Sequence, residues 1–262
     1  MKKHPKNQVI VLKLGGSIIT KKTSSKLEIK KRVVRQIAKE LKLFTHRFPE
    51  SKIILLHGAG SFGHPLVYKY KLLKKPLTGR QLFGFSKTVC SMRHMANLLT
   101  EIFLSNKLPI LPIQTSAADL PNVQKIKQIL YAGFIPLLGG DMSLTKKKQA
   151  VVISADKLAV ILAKAFHTPR IFFLTDVDGV FEKFPPSGGS QALSILYRKK
   201  LKNLLKKIRL RKNRYDVTGG MGGKLQTLLE LKEKEVIIFN GSNSGSLTKA
   251  LTQKPIGTRI IL

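Results

Sequence analysis

Short, almost continuous apolar runs alternate along this chain with longer segments whose apolar residues recur every three or four positions. Runs such as 53–57 and 170–175 have the length of buried strands, whereas segments such as 28–48 and 80–104 have helical periodicity. The same patterns predict strands at 9–14, 109–114, 135–138, 150–153, 235–239 and 258–262, a hairpin turn around 145–148, and helices at 122–132, 154–166, 246–251 and after Lys224. Alternating strands and helices favour an α/β fold, a three-layer αβα sandwich with a mostly parallel central sheet.

Glycine-rich turns follow several of these predicted strands. The first strand runs into Gly15-Gly16-Ser17, the strand at 53–57 is followed by Gly58–His64, and the strand at 170–175 breaks into Asp176–Gly179. A fourth glycine run, Gly219–Lys224, precedes a helical pattern. Ligands of open parallel sheets bind at the carboxyl ends of the strands, and glycine backbones there can present their N–H groups to phosphate.

Two lysines and a histidine accompany these turns. Lys13 lies inside the first strand, and a lysine is seldom buried without a partner, so we expect it to reach a negative group. Lys224 ends the last glycine run, and His64 ends the second, where its ring could bind an anion. Taken alone, the second run could be a tight turn with an incidental histidine. Together, the four glycine-marked sites indicate a protein that handles phosphates.

The charge of the chain is extreme. Its 262 residues include 48 lysines and arginines against 14 aspartates and glutamates, a formal charge of +34. The densest stretch is 198–214, where Leu201, Leu204, Leu205 and Ile208 recur at helical spacing and predict a basic amphipathic helix. A solvated helix face, contact with nucleic acid and contact with a membrane surface are the three interpretations of this stretch.

The remaining composition narrows the class of protein. One cysteine, Cys90, excludes an intrachain disulfide and agrees with a reducing, cytoplasmic location. There is no cysteine–histidine cluster with the spacing of metal ligands, and no apolar run approaches the roughly 18 residues of a membrane span. We therefore expect a cytoplasmic protein without a structural metal.

In this order and spacing, the motifs resemble those of the amino-acid kinase superfamily. Lys13–Ser17 is similar to its opening phosphate loop, Ser154-Ala155-Asp156 to its mid-chain aspartate motif, and Thr175–Val180 to its nucleotide-lobe turn. Gly219–Lys224 is similar to its second lysine motif, and the Gly58–His64 segment to the cradle of isopentenyl phosphate kinases. Further resemblance to that subfamily lies in Asp216–Met221 and Asn240-Gly241. Two motifs depart from the common pattern, with Ala155 in place of a glycine and Gly139 in place of a histidine or tyrosine.

The resemblance implies ATP-dependent phosphorylation of isopentenyl phosphate to isopentenyl diphosphate, with Mg²⁺ carried on ATP rather than by protein ligands. It implies that Lys13 and Lys224 approach the migrating phosphoryl group from two sides and that Asp156 holds both lysines. Lys22 would stabilise the transition state, and His64 would hold the acceptor phosphate; these five residues are the predicted catalytic set. The residues expected to bind ATP are Lys13, Gly15, Gly16, Ser17, Gly60, Asp156, Thr175, Asp176, Gly219, Gly220 and Lys224. Those expected to bind the acceptor are Gly58, Ala59, Gly63, His64 and Phe83.

The resemblance also implies two lobes that share one continuous sheet. Residues 1–168 would form an N-terminal lobe for acceptor binding and dimerisation, and residues 169–262 a C-terminal lobe for ATP. We expect a homodimer with small-molecule substrates and no dedicated nucleic-acid or membrane partner, although the basic surface could bind polyanions. The alternatives are a kinase of another small phosphate or phosphonate, such as fosfomycin kinase, and a basic, kinase-like nucleic-acid-binding protein.

Overall fold

The computed structural model describes residues 8–21, 27–74, 77–115, 122–145, 149–183, 189–209 and 220–262. The predicted site residues Lys22 and Gly219 lie outside these ranges, as do part of the predicted hairpin turn and the end of the predicted basic helix.

The core of the molecule is an eight-stranded sheet with the order β3-β4-β2-β1-β7-β9-β10-β8. Neighbouring strands are parallel throughout except for β10, which pairs antiparallel with β9. A separate antiparallel pair, β5 and β6, forms the arms of the predicted hairpin. The strands are β1 (Val9–Leu14), β2 (Lys52–His57), β3 (Ile110–Ile113), β4 (Ile135–Gly139), β5 (Asp141–Leu144), β6 (Ala150–Ile153), β7 (Arg170–Thr175), β8 (Ile195–Tyr197), β9 (Glu235–Asn240) and β10 (Thr258–Ile261).

Helices cover both faces of this sheet, because alternate residues of its buried strands point into two separate apolar layers. One layer joins the sheet to α2, α4 and α9, and the other joins it to α5, α6, α7 and α8. The predicted three-layer α/β sandwich is confirmed. The helices are α1 (Gly16–Ile19), α2 (Lys31–Arg47), α3 (Gly60–Lys69), α4 (Gly79–Ser105), α5 (Val123–Tyr131), α6 (Ala155–Ala165), α7 (Arg198–Arg209), α8 (Gly220–Leu228) and α9 (Ser246–Leu251).

Three details differ from the expectations. Helix α8 begins at Gly220 rather than after Lys224, so the second lysine motif lies within the first turns of a helix. The four-residue helix α1 and the three-residue strand β8 carry too few residues for a periodic signal.

The sheet is continuous across the predicted lobe boundary at 168/169, because β1 from the first half of the chain pairs with β7 from the second. Within the described residues, no helix combines the length and apolar character needed to cross a membrane.

Candidate active site

Two glycine-rich turns meet at the carboxyl ends of β1 and β2. The N–H of Gly58 donates to the carbonyl of Leu14 at 2.9 Å, which sets the second turn beside the first. A Cβ atom at Gly16 would overlap the backbone nitrogen of Gly60, and one at Gly58 would lie 2.7 Å from the nitrogen of Gly16. Only glycine allows the two backbones to come this close. The structure therefore brings together the predicted phosphate-binding segments Gly15–Ser17 and Gly58–Gly60.

Thr20 joins these two turns and was not predicted as a site residue. Its buried hydroxyl donates to the carbonyl of Gly16 at 2.8 Å and accepts from the N–H of Ser61 at 3.1 Å. Its position after the first glycine loop was visible in the sequence, but a single threonine carries no signal of its long-range partner. Thr20 thus fixes the spacing between the two turns.

Lys13 and Lys224 converge on one carboxylate, as the resemblance implied. The Lys13 Nζ lies 2.9 Å from Asp156 Oδ1, and the Lys224 Nζ lies 2.8 Å from the same oxygen. All three residues are less than a tenth exposed. Ser154 caps α6 by accepting from the N–H of Lys157 at 3.1 Å, and this places Asp156 in the first helical turn.

The charges of this group depend on one another. Burial alone would raise the pKa of Asp156, but the ammonium groups of Lys13 and Lys224 hold it well below its ordinary range. Burial and the neighbouring charge of Lys13 lower the pKa of Lys224 to about 8, against the opposing attraction of Asp156. The Lys224 ammonium also lies 4.9 Å above the Phe173 ring. Two cations around one anion leave a net positive charge, which suits a phosphate ligand.

The carboxyl ends of β7 and β9 form the other side of the site. Ser17 donates to Asp176 Oδ1 at 2.7 Å, which connects the first glycine turn to the turn after β7. The buried hydroxyl of Thr175 donates to the Val177 carbonyl at 2.8 Å, so this side chain shapes the turn from within. The amide of Asn240 donates to Asp178 Oδ1 at 3.0 Å and joins the two strand ends.

The comparisons with known proteins agree with this geometry. The model of the amino acid kinase family matches residues 8–240. The chain is 31% identical to the isopentenyl phosphate kinase of Methanocaldococcus jannaschii, over 95% of this chain and 97% of that one. It is 30% identical to the isopentenyl phosphate kinase of Methanothermobacter thermautotrophicus, over 96% and 98%. A solved structure titled as isopentenyl phosphate kinase superposes with a TM-score of 0.80 at 27% identity, covering 96% of this chain and all of that one.

The chain belongs to the amino acid kinase family and, within it, to the isopentenyl phosphate kinases.

The predicted acceptor residues of this kinase lie at the start of α3 and on α4. Helix α3 begins at Gly60, a residue expected to bind ATP, directly after the predicted acceptor residues Gly58 and Ala59, and His64 is half-buried in its second turn. A Cβ at Gly63 would lie 2.7 Å from that of Ala59 and 3.1 Å from Met92 Sδ, so α3 and α4 are in close contact there. Phe83 lies on α4 with 57% of its surface exposed, and its ring is 6.2 Å from that of Tyr70.

Two buried titratable residues near the strand ends were not predicted. His57 ends β2, and burial, with a smaller contribution from the charge of Lys13, lowers its pKa to about 4. Its Nδ1 has no hydrogen-bond partner among the described residues. Asp141 begins β5, and burial raises its pKa to about 6, although the N–H of Met142 donates to it at 2.7 Å. The sequence carries no signal for burial of Asp141, because burial at that position depends on the packing of distant helices.

Gly220, the first residue of α8, has a φ of +56°, a left-handed conformation that glycine adopts at little cost. In the described residues, no three histidine, cysteine, aspartate or glutamate side chains are grouped as metal ligands.

Proposed function

We propose that this enzyme transfers the γ-phosphoryl group of ATP to isopentenyl phosphate and yields isopentenyl diphosphate and ADP. The observation that carries the proposal is the convergence of Lys13 and Lys224 on Asp156 beside the two glycine turns. The isopentenyl phosphate kinases to which the chain is 30% and 31% identical over nearly its whole length support the choice of acceptor.

The reaction needs charge stabilisation rather than a general base. An oxygen of the acceptor phosphate is already ionised, so it can form the new P–O bond while the bond between the γ-phosphorus and the β–γ bridging oxygen breaks. ADP leaves with the electron pair of that bond. The difficulty is that two polyanions must approach in line, and fixed cations at the reacting oxygens lower this barrier.

Lys13 and Lys224 are suited to supply these cations. Both ammonium groups are buried and paired with the same carboxylate oxygen, so they lose little freedom when phosphate arrives. A bound phosphate would also favour the charged form of Lys224 and counteract the lowering of its pKa. Asp156 acts through the lysines and is a positioning residue.

The backbone N–H groups of the glycine turns and the start of α3 would bind the phosphates, since a helix N-terminus is a favourable site for anions. Gly58 and Ala59 directly precede α3, and His64 follows on that helix, which supports assigning this side to the acceptor. The ends of β7 and β9, with Asp176, are left for the nucleotide. Magnesium would enter as part of the MgATP substrate.

The test is ADP release by the purified enzyme with MgATP and a panel of acceptors: isopentenyl phosphate, dimethylallyl phosphate, fosfomycin and none. We expect turnover with the isoprenoid monophosphates and background rates with fosfomycin. Turnover with fosfomycin alone would replace the proposed acceptor by a phosphonate. Background rates throughout would overturn the proposed acceptor class.

Four related expectations remain predictions: the homodimer, the cytoplasmic location, the division of roles between lobes 1–168 and 169–262, and the role of Lys22. Phe83 also remains a predicted acceptor contact, since its exposed ring on α4 could meet a ligand only from the solvent side.

A further inference from the structure

Helix α7 carries a charge that the kinase reaction does not use. Its sequence contains seven basic residues among twelve and no acid. Lys199, Lys202 and Lys206 are exposed and follow one another at spacings of three and four, so they form one stripe along the helix. Like charges at these spacings destabilise a helix, and a bound polyanion would relieve that repulsion.

The opposite face of α7 is buried against the rest of the protein. Leu201, Leu204 and Leu205 are buried in the apolar layer that joins the helix to the sheet. Arg198 fastens the start of the helix by donating to the carbonyls of Leu229 and Leu231, both at 2.7 Å. The cationic stripe is therefore held rigidly and faces outward.

The partner must be an anion that binds without apolar insertion. Because the leucines lie in the core, α7 has no apolar face to bury in a bilayer, as an interfacial helix requires. A phosphate backbone needs only a row of cations. Of the exposed lysines on α7, only Lys200 forms an ion pair within the described residues, with Glu182 at 2.9 Å.

An aromatic residue directly precedes α7 in the chain. Tyr197 ends the edge strand β8, and 61% of its surface is exposed. Aromatic rings beside cationic residues are platforms on which unpaired bases stack. We infer that the Lys199–Lys202–Lys206 stripe, together with Tyr197, binds single-stranded nucleic acid through its phosphates and bases.

The test compares two variants of equal charge. In the first, Lys199, Lys202 and Lys206 are replaced by glutamine; in the second, the exposed Lys31, Arg35 and Lys39 of α2 are replaced by glutamine. The probe is a labelled single-stranded RNA of about 16 nucleotides, titrated by fluorescence anisotropy between about 50 and 200 mM salt. Thermal unfolding shows that each variant is folded, independently of kinase activity.

We expect the α7 variant to lower the slope of log K against log salt by about 2, because each lost phosphate contact removes about 0.7. The α2 variant should keep the slope of the wild type. Equal losses in both variants would show binding by overall charge and overturn the inference. The inference would also fail if the α7 variant lost binding to phosphatidylglycerol vesicles while RNA binding stayed unchanged.

Tyr197→Ser tests the stacking part separately. We expect RNA affinity to fall about five-fold or more with an unchanged salt slope, since stacking is not electrostatic. An unchanged affinity would remove the preference for single strands. None of these substitutions touches Lys13, Asp156 or Lys224, so failure of the proposed kinase activity and failure of this inference are read from different assays.

Discussion

Asp156 binds two ammonium groups through a single oxygen atom, and this makes a pair of buried lysines tolerable. Removing one partner of a buried ion pair typically costs 3–5 kcal/mol, because a charge is left uncompensated. Because Asp156 compensates both ammonium charges, Lys13 and Lys224 can stay buried and charged before phosphate binds. The three residues come from β1, α6 and α8, which are far apart in the sequence. The sequence therefore identifies the motifs that carry them, but it does not show that both lysines bind the same oxygen of Asp156.

His64 is expected to bind the acceptor rather than ATP. In His64→Ala the acceptor phosphate loses a charge-assisted hydrogen bond, so we expect its KM to rise about ten-fold or more while the KM for ATP stays near that of the wild type. Initial rates at varied concentrations of each substrate measure this. His94→Ala, which changes an exposed histidine on α4, is the control. An unchanged acceptor KM would remove His64 from the site.

Thr20 offers a sharper test of the glycine turns. Thr20→Val keeps the shape of the side chain but leaves the Ser61 N–H without its buried acceptor, and the Gly16 carbonyl keeps only the backbone N–H of residue 20 at 3.0 Å. We expect a loss of about 2 kcal/mol in the free energy of unfolding and a fall of about ten-fold in kcat. Thr20→Ser retains the hydroxyl and should restore both. If serine failed to restore kcat, the hydrogen bonds would not be what positions the turns.

At the scale of elements, Glu40 of α2 joins two helices that are distant in sequence. Its buried carboxylate accepts from the N–H groups of Gly245 and Thr248 and from the Thr248 hydroxyl, at 2.8–3.0 Å. These donors lie at the start of α9, where the first N–H groups of a helix lack partners within it. One acid of α2 therefore fixes the helix that follows β9.

Replacing this acid should loosen the contact between α2 and α9. Glu40→Gln puts an NH₂ group where a carboxylate oxygen accepted, so at least one buried donor loses its partner. We expect a loss of about 2 kcal/mol, or about 4–8 °C in Tm. Thermal unfolding measures it, with the exposed Glu50→Gln as the control. Equal Tm values for the two variants would contradict the capping role.

Elements with strong periodicity were predicted closely from the sequence, and elements that depend on distant contacts were not. The apolar runs of β1, β2 and β7 define buried strands by themselves. The start of α8 was placed too late, because the glycines at 220, 222 and 223 are weak helix formers and only packing on α6 and α7 makes them helical. The antiparallel direction of β10 has no sequence signal, since the apolar pattern of a buried strand is the same whether it pairs parallel or antiparallel with its neighbour.

At the scale of the whole molecule, the continuous sheet explains why motifs far apart in sequence form one site. The order β2-β1-β7-β9 sets four strand ends side by side, and each end carries a turn that the sequence had marked with glycine, aspartate or asparagine. The sequence predicted that the ligands bind at this edge, because ligands of open parallel sheets bind at the carboxyl ends of the strands. Burial of His57 and Asp141 beside it could not be predicted, because it depends on how all three layers close.

These two residues should give opposite contributions to the pH dependence of stability. His57 has a pKa of about 4 when folded against 6.5, so its contribution to stability is lost as pH falls from 6.5 to 4. Asp141 has a pKa of about 6 against 3.8, so its contribution is lost as pH rises from 3.8 to 6. Each amounts to about 3 kcal/mol, and between pH 4 and 6 they nearly cancel.

Replacing either His57 or Asp141 should therefore make the pH dependence that comes from the other residue measurable. In Asp141→Asn, the free energy of unfolding relative to the wild type should rise by about 3 kcal/mol between pH 4 and 6, because the variant lacks the Asp141 contribution that the wild type loses over this range. In His57→Gln, it should fall by a similar amount over the same range. Urea unfolding at several pH values measures both, and differences from the wild type remove the titrations that all three proteins share. Parallel curves for the wild type and Asp141→Asn would mean that Asp141 keeps an ordinary pKa in the folded enzyme.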